Sequence, residues 1–285
     1  MSFDSAFLES VQDLFASEQG TERMAELLYL LIRFLRPRSV VEGGAGYSSV
    51  FIAKALRDNQ LAWARESAQV VGKTRRYIAD IDGMQQDAAR AARRMSWMLE
   101  DPVGASPGHY VDAHTPCACS IDNMSDPTST AIRVAGKLKE LGLENHLKLY
   151  DGEFWEFDLA KLPAEAKPID LLWIDLPVGV KESLSLIDGA HWKALNPNGG
   201  LLVIHCMLTN TGGQAILREF EQIRRRRAQS FELLGLIEPH KLFQNNVLMI
   251  RKVSDASRFN VLDGALARKV EAETDRQARR LIELP

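Results

Sequence analysis

A short segment near the start of the chain combines the residue types of a ligand-binding turn. Residues 39–49 read SVVEGGAGYSS, so a short β-branched run ends in an acid and a glycine-rich stretch. Residues 50–56, VFIAKAL, then have the composition of a helix. A strand, a glycine turn and a helix in this order bind nucleotide-like cofactors at the end of a parallel sheet. Gly44 and Gly46 have no Cβ atom, which lets a ligand approach the backbone closely.

The spacing of these glycines argues against two common nucleotide-binding motifs. A dinucleotide fingerprint, G-x-G-x-x-G, that starts at Gly44 needs a glycine at position 49, where the chain has Ser49. The phosphate-binding loop G-x-x-x-x-G-K-[ST] does not occur in the sequence. The turn therefore predicts a different nucleotide-like cofactor.

Polar side chains also follow four later segments that have the composition of strands. Asp122 follows the first of them, Glu153 the second, Asp175 the third, and the pair His205-Cys206 the fourth. The carboxyl ends of parallel strands share one edge of a sheet, and ligands of such sheets bind at that edge. We therefore expect these side chains to surround one site.

A second pair of acids competes with Asp122 for this position. Residues 77–82, YIADID, are compatible with a strand that would place Asp80 and Asp82 at its end. We prefer Asp122, because the expected helix and strand of residues 137–152 follow it directly.

The order of the elements predicts the fold class. Strands and helices alternate, which is typical of a mostly parallel sheet with helices on both faces. We expect an α/β protein with a doubly wound, Rossmann-like, seven-stranded sheet, N-terminal helices and a helical insertion. Its last two strands resemble an antiparallel pair at the sheet edge. Helices are expected at residues 4–17, 21–35, 50–57, 130–141, 182–195 and 211–228, and strands at residues 39–41, 118–121, 146–150, 169–174, 201–204, 231–237 and 247–252.

The same pattern divides the chain into three parts. Residues 1–38 form N-terminal helices, residues 39–253 form the cofactor-binding domain, and residues 254–285 form a polar helical tail. A mostly helical insert, residues 58–116, interrupts the domain between its first helix and its second strand. This insert is suited equally to a lid over the site and to a dimerisation surface.

Four segments, in the correct order, resemble the class I S-adenosylmethionine (SAM)-dependent methyltransferases. Among these, the chain is most similar to the small-molecule O-methyltransferases of the catechol type, whose first motif has an acid, two glycines one residue apart, and Tyr-Ser. The segments are residues 40–48 (VVEGGAGYS), 141–153 (LGLENHLKLYDGE), 170–175 (DLLWID) and 195–204 (LNPNGGLLVI). The resemblance covers about residues 39–57 and 117–252, leaves out the insert, and implies SAM as the cofactor.

The resemblance also implies roles for individual residues. Glu42 would receive the ammonium group of SAM, Asp122 the two ribose hydroxyls, and Glu153 the adenine amino group. Phe154 and Trp155 offer faces to the purine ring. The implied cofactor-binding residues are Glu42, Gly43, Gly44, Gly46, Tyr47, Ser48, Asp122, Gly152, Glu153, Phe154 and Asp175.

The chain departs from the catechol-type pattern where that family binds a metal. Those enzymes hold Mg²⁺ with an acid after the fourth strand and an Asp-Asn pair after the fifth. Asp175 matches the acid, but His205-Cys206 stand in the place of the pair, and Mg²⁺ prefers oxygen ligands. We therefore expect no metal, although Asp, His and Cys together would suit a softer ion such as Zn²⁺ or Fe²⁺.

Without a metal, His205 becomes the candidate general base, because the pKa of a histidine lies near working pH. A hydrogen-bonded structural histidine at a strand end is the competing interpretation. Asp175 would orient the substrate, act as a base itself, or cap the following helix. The predicted catalytic residues are thus His205 and Asp175.

The bulk composition limits the partners and the compartment. The chain has 285 residues with 46% apolar and 26% charged side chains, and its net charge of −3 favours neither a nucleic acid nor a membrane as partner. We expect a small-molecule substrate and a possible homodimer. The three cysteines, an odd number, do not suggest a full disulfide framework. The N-terminus has no signal-peptide pattern, so a cytoplasmic location is expected.

Three functions are compatible with these patterns. The leading hypothesis is methyl transfer from SAM to an oxygen or a nitrogen of a small molecule. A second keeps SAM but transfers its aminocarboxypropyl group, or closes it to an azetidine ring, and is motivated by the long insert and the missing Asp-Asn pair. A third is a SAM-binding domain without catalysis.

Overall fold

The chain consists of two compact units. The computed structural model describes residues 5–15, 22–179, 181–182, 185–186, 189–206, 211–226, 231–242, 244–253 and 264–283. The first unit spans Met1–Asp58 and Pro116–Arg258, and the second spans Asn59–Thr115 and Phe259–Pro285. The division into three domains made from the sequence stays a prediction.

The first unit is built on a seven-stranded sheet. Its order is β3-β2-β1-β4-β5-β7-β6. The first five strands are parallel, whereas β7 pairs antiparallel with both β5 and β6. The predicted fold class, including the antiparallel pair at the edge, is therefore confirmed. The strands are β1 (Ser39–Gly43), β2 (Cys117–Asp122), β3 (Leu147–Asp151), β4 (Leu171–Ile174), β5 (Leu201–His205), β6 (Phe231–Ile237) and β7 (Asn246–Lys252).

Nine α-helices lie in the part of the chain that the structure describes. Three short 3₁₀ helices, Gln12–Leu14, Leu159–Lys161 and Ala164–Ala166, accompany them. The α-helices are α1 (Ser5–Val11), α2 (Glu22–Leu35), α3 (Tyr47–Asp82), α4 (Asp87–Leu99), α5 (Pro107–Tyr110), α6 (Ala131–Glu140), α7 (Ala190–Ala194), α8 (Thr211–Arg226) and α9 (Gly264–Ile282). None of these described helices is long and apolar enough to cross a membrane.

The central strands are buried on both faces, so their apolar residues do not alternate with exposed polar ones. All five residues of β1 are buried, and successive side chains point to opposite faces. Val40 packs into a cluster that contains Phe51 of α3, whereas Val41 packs into a second cluster that contains Phe220 of α8. These two apolar layers hold β1, and the glycine turn after it, rigidly at the centre of the sheet.

Helix α3 is longer than the sequence predicts. The helix expected to end near residue 57 continues without a break to Asp82, from the first unit into the second. Just past the expected end, Asp58 accepts hydrogen bonds from Tyr29 of α2 (2.8 Å) and from Lys54, one helical turn earlier (2.9 Å), and Asn59 is fully buried. Asp80 and Asp82 therefore lie on a helix, and the alternative strand at residues 77–82 is wrong.

The helix predicted for residues 182–195 is not continuous. Gly189 interrupts it and α7 begins at the next residue. A Cβ atom at Gly189 would lie 2.4 Å from the carbonyl oxygen of Ser185, so a larger residue does not fit this bend. Residues 183, 184, 187 and 188 lie outside the described residues.

The second unit has its own aromatic core. Tyr77 of α3 stacks on Trp97 of α4 with ring centroids 4.8 Å apart, and Asp275 of α9 accepts hydrogen bonds from Tyr77 and Arg94. Lys73 is buried and donates to the carbonyl oxygens of Glu100 (2.9 Å) and of Pro102, among others, after α4. Of the predicted C-terminal tail, residues 254–263 and 284–285 lie outside the described residues.

Candidate active site

A cavity of about 650 Å³ lies at the carboxyl ends of the parallel strands of the first unit. Strand order places the turn after β1 at its middle, the ends of β2 and β3 on one side, and the ends of β4, β5 and the start of β7 on the other. The described lining residues are Gly44, Ala45, Gly46, Tyr47, Ser48, Ile121, Asp122, Asn123, Asp126, Thr128, Ser129, Thr130, Gly152, Glu153, Phe154, Asp175, Leu176, Pro177, Val178, His205, Cys206, Gly213 and Gln244.

The glycine turn forms the floor of this cavity. Gly44 has φ +88°, a conformation that only glycine adopts without strain, and its N–H donates to Ile121 O at 2.9 Å. A Cβ atom on Gly44 would lie 3.2 Å from the Leu176 side chain. On Gly43 it would lie 2.9 Å from the ring of Phe154. Glycine is therefore required at both positions, at Gly44 for the turn and at Gly43 for the approach of Phe154.

Glu42 lies beneath the turn and outside the cavity lining. Its carboxyl group is fully buried and accepts hydrogen bonds from Ser48 Oγ at 2.7 Å and Ser49 Oγ at 2.6 Å. Burial raises the pKa of Glu42 to about 7, although the hydroxyls of Ser48, Ser49 and Ser120 oppose the shift. The first turn of α3 thus binds the acid that ends β1, and contact of Glu42 with a ligand stays a prediction.

Asp122 joins the glycine turn to the loop that follows β2. Its Oδ2 accepts from the N–H of Ala45 at 2.7 Å, and its Oδ1 accepts from Ser129 Oγ at 2.5 Å. Thr130 Oγ1 donates to Ala45 O at 2.5 Å from the same loop. Each carboxylate oxygen has a second lone pair, so Asp122 keeps acceptor capacity toward the cavity. Ser129 and Thr130 were not identified from the sequence: Thr130 contacts a residue 85 positions away, and Ser129 lies in a loop seven residues after Asp122 that has no recognisable motif.

The predicted adenine-binding residues lie on the β3 side. Glu153 is exposed, lines the cavity and accepts from Asn123 Nδ2 at 2.6 Å. Phe154 also lines the cavity, and its ring packs on His191, with centroids 4.8 Å apart. Trp155 is not among the described lining residues; it packs edge-on against Phe154 and His191 from behind. Of these three aromatic side chains, Phe154 is the one that lines the cavity.

Asp175 and His205 form an ion pair on the opposite side. His205 Nδ1 lies 2.7 Å from Asp175 Oδ1, and His205 Nε2 lies 3.3 Å from the carbonyl oxygen of Gln244. Burial lowers the pKa of His205, but hydrogen bonds with Asp175 and Cys206 outweigh it and raise the pKa to about 10. Since both ring nitrogens face acceptors, the imidazole is protonated at neutral pH. This geometry argues against His205 as a general base. Asp175, whose side chain is 26% exposed compared with 2% for His205, is the more accessible member of the ion pair.

The charge state of His205 can be tested directly. Replacing Asp175 by asparagine removes the carboxylate that stabilises the imidazolium, so we expect the His205 pKa to fall by about two pH units. An NMR titration of the imidazole carbon-bound protons measures this pKa in the wild type and in Asp175→Asn. Asp126→Asn, which removes another cavity carboxylate without touching His205, is the control. An unchanged His205 pKa in Asp175→Asn would show that the ion pair does not form in solution.

The described residues hold no preformed metal site. Asp175, His205 and Cys206 come together, but no group of three His, Cys, Asp or Glu side chains in the described part of the chain has the geometry to hold an ion. The remaining cysteines, Cys117 and Cys119, are buried in β2. The softer-ion alternative therefore has no support from the arrangement of these side chains.

The charge and the residues of the cavity lining suit SAM. The described lining carries four carboxylates and no Lys or Arg, which suits a ligand with a sulfonium and an ammonium charge. At Gly44 and Gly46 no side chain covers the backbone, so a ligand can approach it closely. Of the eleven predicted cofactor-binding residues, only Glu42 and Gly43 lie outside the described lining.

A comparison with protein families identifies the chain. A family model described as a methyltransferase domain matches residues 41–205, more than half of the sequence. The chain belongs to this methyltransferase family. Membership confirms the prediction of a class I methyltransferase and, with it, of SAM as the cofactor. A comparison with curated protein sequences found no match.

Solved structures of other methyltransferases share the fold. TomG, an O-methyltransferase from Streptomyces achromogenes in complex with SAM, is 14% identical, with a TM-score of 0.52 over 89% of this chain and 92% of that one. PaMTH1 from Podospora anserina, bound to S-adenosylhomocysteine (SAH), is 14% identical, with a TM-score of 0.52 over 89% and 90%. An O-methyltransferase from Bacillus cereus in complex with SAH is 13% identical, with a TM-score of 0.50 over 89% and 93%. At these identities the likeness concerns the fold.

Proposed function

We propose that this methyltransferase binds SAM in the described cavity and transfers its methyl group to an oxygen or a nitrogen of a small molecule. The observation that carries the proposal is the meeting of the turn at Gly44, the acids Asp122 and Glu153, and Asp175 at one cavity. Two of the structural relatives, TomG and the protein from Bacillus cereus, are O-methyltransferases by their names, which favours oxygen. We expect a cytoplasmic enzyme that is able to form a homodimer, without a nucleic-acid or membrane partner.

The strand order supports a placement of the parts of the cofactor on the two sides of the cavity. Asp122 would accept the ribose hydroxyls, and Glu153 the adenine amino group, with Phe154 against the purine. The amino-acid tail would lie over Gly44 and Gly46, and Glu42 beneath them would supply negative charge to its ammonium group above the pKa of about 7. The sulfonium would then lie near Asp175, on the side of β4 and β5.

Methyl transfer at this position depends mainly on orientation. When bound, SAM supplies an electrophilic methyl group on a positively charged sulfur. The walls of the cavity hold the acceptor in line with that methyl, and such positioning provides a large part of the acceleration. The acceptor oxygen or nitrogen forms the new bond to carbon as the carbon–sulfur bond breaks, and the bonding electrons stay on sulfur. The proton of the acceptor leaves to solvent or to Asp175, which the hydrogen bond with His205 orients.

Calorimetry with SAM and SAH tests the cofactor assignment. We expect binding by the wild type, and weaker binding by Asp122→Ala, because this substitution removes the ribose acceptor and releases the N–H of Ala45. Asp158→Ala, which removes a 3₁₀-helix cap outside the cavity, serves as the control. If the pure protein binds neither SAM nor SAH, the proposal is wrong.

Product analysis separates methyl transfer from the other reactions of SAM. Turnover with methyl transfer yields SAH, whereas aminocarboxypropyl transfer or cyclisation to an azetidine ring yields methylthioadenosine. We expect SAH, because the matched family is one of methyltransferases. Methylthioadenosine without SAH would reassign the reaction, and binding without any turnover would favour a non-catalytic domain.

A further inference from the structure

A second cavity, of about 280 Å³, lies in the first unit at the opposite end of β4 from the candidate active site. Ile169, just before β4, lines this second cavity, whereas Asp175, just after the same strand, lines the active-site cavity. An extended chain rises about 3.3 Å per residue, so these two residues lie roughly 20 Å apart. The second cavity is therefore separate from the one that the cofactor would occupy.

Hydrogen bonds join the walls of the second cavity to one another. The N–H of Ile169 donates to Ala194 O of α7 at 2.9 Å, and a parallel bridge joins Ile169 to Leu195. On the other side, Lys167 Nζ donates to the carbonyl oxygen of Ala160, in the neighbouring 3₁₀ helix, at 3.0 Å. The cavity is thus preformed, and a ligand does not have to order its walls in order to bind.

The interior of the second cavity is apolar. Its described walls are formed by the side chains of Leu159, Leu162, Pro168, Ile169 and Ala194. Leu162 and Ile169 are buried, so they belong to the core of the unit and hold the shape of the cavity. A volume of about 280 Å³ accommodates roughly nine groups of the size of a water molecule, each of which occupies about 30 Å³ in the liquid. A short aliphatic chain fits this space.

The rim of the second cavity is positively charged. Lys167 and Lys193 are exposed, and they are the only charged residues in its described lining. Neither lysine forms an ion pair with an acidic side chain in the described part of the chain. Lys252 adds a third positive charge nearby, because its Nζ donates to the carbonyl oxygens of Trp192 (2.9 Å) and Leu195 (3.3 Å), on either side of the segment that lines the cavity.

The acidic residues nearest to this rim in sequence have other partners. Glu165 pairs with Lys148 at 3.5 Å, and Asp158 accepts a backbone N–H of the 3₁₀ helix that it caps, at 2.9 Å. Asp170 accepts a hydrogen bond from Asn196 Nδ2 at 2.7 Å. An anion at the rim would therefore meet lysine ammonium groups without displacing a carboxylate.

We propose that the second cavity binds a small amphipathic anion, a carboxylate with an aliphatic chain of up to about eight carbons, with the chain in the apolar interior and the carboxylate beside Lys167 and Lys193. An apolar pocket with a few polar groups at its edge is the usual form of a small-molecule site. This inference goes beyond methyl transfer, and it does not depend on the identity of the cofactor.

Ligand-observed NMR on the full-length protein tests the inference with three probes that share one chain. These are octanoate (anionic), 1-octanol (neutral) and octylamine (cationic). We expect octanoate to bind about fivefold more tightly than 1-octanol, and octylamine to bind most weakly. The double variant Lys167→Met/Lys193→Met should bind octanoate about fivefold more weakly than the wild type, the effect of two exposed ion pairs, and should bind 1-octanol as before.

Two further variants show where the probes bind. Lys161→Met makes the same change at an exposed lysine outside the described lining, and it should leave octanoate binding unchanged. Ala194→Leu places a larger side chain in the cavity and should weaken the binding of octanoate and 1-octanol alike, while thermal unfolding reports whether each variant is folded.

The outcomes that overturn the inference are separate from those that concern the cofactor. Equal binding of octanoate and 1-octanol, an unchanged octanoate affinity in the double lysine variant, or binding of none of the probes overturns it. Each titration is repeated with saturating SAH, which should leave the octanoate affinity unchanged; competition between the two would place octanoate in the active-site cavity and also overturn the inference. Failure to bind SAH would instead contradict the proposed function.

Discussion

Gly44→Val should lower SAH affinity by roughly a hundredfold, which corresponds to about 2.7 kcal/mol, without unfolding the protein. Gly44 has φ +88° and forms the cavity floor. A Cβ atom there would already lie 3.2 Å from the Leu176 side chain, and the two further methyl groups of valine occupy space that the cofactor needs. The backbone would also be strained, at a cost of about 1–3 kcal/mol in folding stability. Calorimetry with SAH measures the affinity, and denaturant unfolding measures the stability.

Gly142→Val is the matched control for this experiment. Gly142 also has a positive φ, +63°, but a Cβ atom there would meet nothing within 4 Å, and the residue lies outside the described cavity lining. Both variants should lose folding stability through backbone strain, and only Gly44→Val should lose SAH binding. Unchanged SAH affinity in Gly44→Val would show that the cofactor does not lie on the glycine turn.

Glu42→Gln should change the pH dependence of folding stability. The pKa of Glu42 rises from 4.5 in the unfolded chain to about 7 in the folded protein, chiefly because the group is buried. Between these two values the folded state holds a proton that the unfolded state has lost, so stability falls as the pH rises through this window. A shift of this size corresponds to about 3 kcal/mol, present as a penalty above the folded-state pKa. Glutamine cannot ionise, so the variant escapes the penalty.

The expected result is therefore a difference that grows with pH. Relative to the wild type, Glu42→Gln should gain about 3 kcal/mol in unfolding free energy between about pH 4.5 and pH 8. Glutamine forms the hydrogen bonds with Ser48 and Ser49 less well, but this loss of stability is the same at both pH values and cancels when they are compared. Denaturant unfolding at each pH gives the free energies, and Glu144→Gln, at an exposed position, is the control. Parallel pH profiles for the wild type and Glu42→Gln would mean that Glu42 is ionised throughout.

The sequence predicts the sheet well, because its signals are local. Buried parallel strands have continuous apolar runs, such as residues 171–174, and each run ends in a turn or an acid that marks its carboxyl end. This information is enough to place Asp122, Glu153, Asp175 and His205 at one edge. The same reasoning identifies the antiparallel pair at the end of the chain.

Features that depend on tertiary contacts could not be predicted. Helix α3 continues through Asp58 and Asn59, where Asp58 accepts a hydrogen bond from Tyr29 of α2 and Asn59 is fully buried, and neither fact is visible in the local pattern. Gln244 has no motif; only the return of β7 beside β5 brings it to the cavity.

The protonation state of His205 illustrates a further limit. The residue type suggests a base near neutral pH, and the position was predicted correctly at the end of β5. Its charge depends on Asp175 and on a backbone carbonyl that belongs to a segment 39 residues away. A sequence pattern identifies which side chains meet, but which of them holds the proton depends on the distances between them.

The central position of β1 also determines when the binding site can form during synthesis. β1 leaves the ribosome among the first elements, yet Val40 pairs with Ala118 on one side and with Leu171 on the other. The glycine turn therefore cannot be fixed in place until most of the chain has been translated, and contacts of such long sequence separation form slowly. Until then an apolar strand without hydrogen-bonded neighbours is exposed, which is a state prone to aggregation. Synonymous codons that alter translation speed between residues 43 and 171 would thus affect the yield of active enzyme more than those after β5.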